Sequence, residues 1–229
     1  MKAIERFGEL EEGILHVIKA ADVYLICVIS EMRGESVNAE LIREIIAGGK
    51  VSTFVLLGGA CSMKERQELY LKGHIRGIGS QIVLATYTAL EVYLREKFEE
   101  YLRHKLQGVN ADAVLKRCSF RSLDNIKDLF REFLGIHLPL FELRYISVDQ
   151  GSSFKPGKTW DGIKSIEEAR HDMAHLGAVK KKSINVLSDM WDRFDFVRRW
   201  VASFDANFDS LVYEGRRTSL IRDYERRMP

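Results

Sequence analysis

Apolar residues recur at alternating intervals of three and four near the C-terminus, at Leu187, Met190, Phe194, Val197, Val201, Phe204, Phe208 and Leu211. On a helix of 3.6 residues per turn that spacing keeps one stripe facing one way, so it predicts a long core helix. A second stripe, Val83, Tyr87, Leu90, Leu94, Phe98 and Tyr101, predicts another, with Glu91 and Arg95 as an i,i+4 pair on the neighbouring face. A third, shorter pattern groups Ile126, Leu129, Phe130 and Phe133 and stops at Gly135, a residue suited to closing a helix. Antiparallel packing is the simplest way to bury all three stripes.

The first 60 residues are less regular. Val23 to Ile29 is a short apolar run for which helix is favoured, whereas Val51 to Leu57, bracketed by Gly48-Gly49 and Gly58-Gly59, leaves strand and helix turn both open. Ser147 to Gly157, with Gly151, Ser152, Ser153 and Pro156, predicts a surface loop. The expected architecture is all-α: a helical bundle over residues 61–229, with residues 1–60 as an N-terminal accessory segment packed on it.

Composition narrows the class. A chain of 229 residues, 46% hydrophobic and 30% charged with three Pro, suits one ordered core rich in solvated helices and argues against disorder. Cys27, Cys61 and Cys118 are odd in number and far apart, which offers neither a disulfide framework nor a CxxC knuckle and points to a reducing, cytoplasmic compartment. The acidic start (Glu5, Glu9, Glu11, Glu12) does not match a secretion signal, and the Val23 to Ile29 run falls short of a membrane span. Lys and Arg total 35 against 33 Asp and Glu, so net charge decides nothing about nucleic acid. The distribution says more: Lys180, Lys181 and Lys182 are consecutive, Arg193, Arg198 and Arg199 follow, and Arg216, Arg217, Arg222, Arg226 and Arg227 load the tail. Such runs form either a solvated face or a phosphate-binding one.

The densest group of reactive side chains follows the predicted loop, from Ile166 through Glu167, Glu168, Arg170, His171, Asp172 and His175 to Gly177. Glu167 and Glu168 suit an early helical turn and Gly177 a helix end, so His175 is expected in the final turn, where the helix dipole favours imidazolium. A histidine there can take and give a proton, and a guanidinium such as that of Arg170 can hold two phosphate oxygens.

Arg170, four residues and His175, with polar His171 and Asp172 directly after the arginine, resembles the motif of HEPN-superfamily ribonucleases, in which an Arg precedes a His by four to six intervening residues. The resemblance extends to Leu90-Glu91-Val92-Tyr93-Leu94, similar to the Glu-bearing helix of RiboL-PSP-like members, and to the closing long helix, covering roughly residues 62–212. His171 stands where the family commonly has Asn. Arg131 to His137 also fits the spacing, but its intervening residues are largely apolar.

The resemblance implies a helical bundle that forms a homodimer, with two motifs across one RNA-binding cleft, and metal-independent scission that leaves 2′,3′-cyclic phosphate ends. In that scheme Arg170 and His175 are catalytic, His171, Asp172 and Glu91 support them, and Lys180, Lys181 and Lys182 hold RNA phosphates, with no cofactor. It also implies a toxin or anti-phage role, with a neutralising or activating partner protein. Two other readings stay open. His171-Asp172-Met173-Ala174-His175 is similar to the zinc motif H-E-x-x-H with Asp in place of Glu, which would make a metallohydrolase. The cluster could instead be structural, with Arg170 paired to Glu167 or Asp172 in a helical binding or scaffold protein. Trp160, Trp191 and Trp200 could stack bases, although large aromatics at helical spacing are mostly core.

Overall fold

The computed structural model describes residues 2–47, 62, 64, 65, 69, 74–105, 110–144, 146, 154, 156–176 and 186–227; at 74–76, 105, 173–176, 186–188 and 216–227 it describes the backbone alone. Among these residues there are helices and no strand. In chain order they are α1 (Ala3–Arg33), α2 (Ala39–Ile46), α3 (His74–Lys105), α4 (Ala111–Leu115), α5 (Leu123–Leu129), α6 (Thr159–Leu176) and α7 (Val186–Arg227), with short π and 3-10 turns between α5 and α6. The all-α expectation holds. The Val51 to Leu57 run lies outside the described residues, as does most of Ser147 to Gly157.

α3 sits at the centre, packed against α1, α6 and α7. All six residues of its predicted stripe are buried, and Leu90, Tyr93, Leu94 and Phe98 have no exposed surface. On α7, Met190, Phe194, Val197, Val201, Phe204 and Phe208 are buried as the spacing requires. Trp200 is stacked on Phe204, ring centroids 4.8 Å apart, and Trp160 is also buried, so these two tryptophans are core and have no face for a base. The pairings of Tyr93 with Asp205 and of Tyr101 with Phe208 advance together, so α3 and α7 run in the same direction. This corrects the antiparallel expectation for that pair; the intervening α6 runs the other way, Gly162 meeting Phe196 and Ser165 meeting Arg193.

Helix α1 takes in the Val23 to Ile29 run and is far longer than it. Its contacts run opposite to α3: Phe7 meets Tyr93, and Ala3 N–H donates to Glu100 Oε2 at 3.3 Å, while Val17, Ala21 and Tyr24 line a groove with Gly77, Ile78 and Gln81. Ala3, Phe7, Ile14 and Ile18 belong to the same apolar cluster as α3 and α7, whereas Leu25, Ile26 and Ile29 form a smaller cluster with Ile45 and Leu69. Gly34 at φ 66 closes α1, its N–H returning to Glu31 and Ser30. By length and composition alone α1 could cross a membrane, and 44% of its most apolar stretch is buried in the fold.

The third predicted helix begins where Ser122 caps the N–H of Asn125, but its last turn, Phe130–Leu134, is a π-helix. Phe130 and Leu134 are both buried, and Ile136 N–H returns to Phe130 O at 3.1 Å. Gly135 then turns at φ 72 with its backbone against that of Gly215 on α7, closer than any Cβ would permit.

Candidate active site

Helix α6 carries the predicted motif, and its start is fixed by hydrogen bonding. The Glu142 carboxylate accepts from Thr159 Oγ1 at 2.8 Å and from Thr159 N–H at 3.2 Å, satisfying a donor that the helix itself leaves open. Those bonds hold the Glu142 carboxyl below its ordinary range. Because α6 begins at Thr159, Glu167 and Glu168 lie well inside it and do not form an early turn, a correction to the sequence reading. Position 175 is in the last turn as expected, while the His175 side chain, Gly177 and Lys180, Lys181 and Lys182 lie outside what is described.

Arg170 lies on the α3 side of α6, its Cζ 5.2 Å from the centre of the Tyr87 ring. That distance is within cation–π range. Tyr87 is buried, and its hydroxyl donates to Glu167 Oε1 at 3.2 Å. The same oxygen accepts the Leu123 N–H at the start of α5 at 2.8 Å, and Lys164 Nζ bonds Glu167 Oε2 and Asp124 Oδ2, both at 2.9 Å. Burial, reinforced by the charges of Glu167 and Glu91, pushes the Tyr87 hydroxyl pKa up, so the group stays protonated. Glu167 is thereby committed to Tyr87, Leu123 and Lys164.

Glu91, one turn beyond Tyr87 on α3, is half-buried. Burial raises its pKa, opposed first by the charge of Arg170 and then by that of Arg95. The charge of Arg170 acts on Glu91 more strongly than that of Arg95 does. His171 is exposed on α6 and Asp172 half-buried. Arg131, the arginine of the second candidate pair, is exposed and bonded to Asp128 at 3.1 Å, and His137 is exposed after the π-turn.

The opposite side of α6 faces α7. Arg193 donates to Ser165 Oγ at 2.8 Å and lies over the Phe154 ring at 4.7 Å. Its burial lowers its pKa, while the charges of Asp189 and Glu168 work the other way. Arg198 and Arg199 clamp the buried Asp195 carboxylate at 2.6 and 2.7 Å, while their own side chains stay partly exposed. Among the described residues no three His, Cys, Asp or Glu gather as a metal site, a statement that does not reach the His175 side chain.

No family model, curated protein or solved structure matches this chain. What the site can do therefore rests on its own geometry and on the motif. Tyr87 was missed as a site residue, since it reads as one more member of a core stripe, and Glu167, considered from sequence as a partner of Arg170, bonds Tyr87, Leu123 and Lys164.

Proposed function

We propose that the protein is a metal-independent endoribonuclease of HEPN type, with Arg170 stabilising the crowded phosphorus centre and His175 transferring the proton. The observation that carries the proposal is the setting of Arg170: its guanidinium rests over a buried tyrosine ring, while Glu167, one turn back on its own helix, is bonded to Tyr87, Leu123 and Lys164. A cation engaged through a ring keeps N–H donors for phosphate oxygens.

Five residues of helix turn position 175 by about 140° from position 170. α6 stays helical through Leu176, so the turn is not relieved by unwinding before that point. Two copies related by a two-fold axis would supply the Arg170 of one and the His175 of the other to one phosphate. The HEPN-like fold, the RNA-holding lysines, the cytoplasmic toxin or defence role and its protein partner belong to this same proposal.

A scaffold reading draws on the same network, since the bonds of Glu167 to Leu123 and of Lys164 to Asp124 join α6 to α5 whatever the chemistry. The deciding experiment is incubation with mixed cellular RNA, with and without chelator. The ribonuclease reading predicts chelator-resistant cleavage with 2′,3′-cyclic phosphate ends. Activity lost on chelation and restored by zinc would favour the metallohydrolase, and intact RNA in every condition would favour the scaffold.

A further inference from the structure

Among the described arginines some are held by carboxylates and some lie over aromatic rings, Arg95 over Phe120 and Arg193 over Phe154 among the latter, with Arg193 also bonded to Ser165 Oγ. Arg33, Arg103, Arg198 and Arg199 place N–H donors on carboxylate oxygens at 2.6 to 2.7 Å, which commits those donors. Arg170 is instead held over an aromatic face. Cation–π contact spends the face of a guanidinium and leaves its planar fork for two oxygens of a phosphate.

That ring is unusually well fixed. Tyr87 is 2% exposed on the central helix, and its hydroxyl is tied to Glu167. Glu167 in turn is held by the first N–H of α5 and by Lys164, itself anchored on Asp124. Both ends of the contact are thus referred to one network: the ring through its hydroxyl, and Arg170 through the same α6 backbone, three residues on from Glu167.

We infer that Tyr87 is a positioning residue for the proposed cleavage, a fixed plate that aims the Arg170 guanidinium while Glu167 locks the plate to α5 and α6. The inference rests on the ribonuclease reading for what the aimed guanidinium does. Tyr87 touches neither RNA nor the reacting atoms in this scheme; it acts through Arg170. The ring supplies the plate and the hydroxyl supplies its lock, so Phe and Leu at position 87 separate the two.

The test has two arms on the full-length protein. In the first, side-chain proton signals of Arg170, assigned by their loss in Arg170→Lys, are expected upfield from the ring current, to persist in Tyr87→Phe and to vanish in Tyr87→Leu. Ordinary shifts for Arg170 in the wild-type protein overturn the inference without any variant having to fold. In the second, Tyr87→Leu is expected to lower kcat for RNA about tenfold with KM within about twofold, and Tyr87→Phe to recover most of it. Full kcat in Tyr87→Leu beside an inactive Arg170→Ala overturns the positioning role. If the wild-type protein cuts no RNA, the ribonuclease reading fails and takes the catalytic part of the inference with it, and the shift still reports separately whether the ring holds the guanidinium.

Discussion

Gly215 lies inside α7 where the Gly135 turn comes against it, and replacing it with alanine sets two opposed effects against each other. Alanine in a helix interior is favoured over glycine by about 1 kcal/mol. Against that, a Cβ on Gly215 would lie 2.5 Å from Gly135 O and 2.7 Å from Gly135 C. These are backbone atoms, and Gly135 holds φ 72, so the clash has no flexible side chain to absorb it. Overpacking of this kind costs roughly 1–3 kcal/mol, and a backbone contact this short belongs at the upper end, leaving a net loss of about 2 kcal/mol. Gly13 in α1 supplies the control, since a Cβ there meets nothing within 4 Å. Thermal melts should place Gly215→Ala about 4–8 °C below the wild-type protein and Gly13→Ala a few degrees above it. If both substitutions stabilise equally, the close approach of the π-turn to α7 is wrong.

Three further outcomes are expected. Glu142 and Asp124 have pKa values lowered by hydrogen bonds, to Thr159 for Glu142 and to Lys164 and then Lys127 for Asp124. Their contribution to stability is therefore present above the ordinary values of 4.5 and 3.8 and is lost as pH falls through the folded ones. Melting temperature should drop less steeply below pH 4.5 in Glu142→Gln and Asp124→Asn than in the wild-type protein, and identical acid profiles would remove these bonds from the account. Charge reversal at Lys180, Lys181 and Lys182 should weaken RNA binding and flatten its salt dependence, whereas an unchanged slope returns them to a solvated face. Sedimentation should show a dimer, and a strict monomer at high concentration with RNA present would count against a shared cleft.

The parts of the fold that periodicity predicts are those buried by one continuous stripe. α3 and α7 were legible because their apolar residues keep the helical period over many turns against several neighbours. The π-turn at 130–134 was not, because Phe130, Phe133 and Leu134 are as compatible with an α-helical turn. The length of α1 was hidden by charged and polar residues between its buried ones, among them half-buried Glu11 and exposed Glu12, which break the run while leaving Phe7, Ile14 and Ile18 buried.

The candidate site divides in the same way. Arg170 and His175 are only five positions apart in sequence and so could be picked out as a motif. The ring under Arg170 is 83 residues away, and the partners of Glu167 come from α3, α5 and α6, relations that no local pattern encodes. The expectation that Glu167 belongs to an early turn failed because the α6 cap is Glu142, outside the helix and seventeen residues before Thr159.

The central claim is that Arg170 and His175 cut RNA together, and single-turnover cleavage by their alanine variants tests it most directly. Arg170→Ala removes charge stabilisation and His175→Ala removes proton transfer, so each should slow cleavage on the order of a hundredfold or more while both proteins still melt cooperatively near the wild-type temperature. Full cleavage by a folded His175→Ala protein would contradict the account.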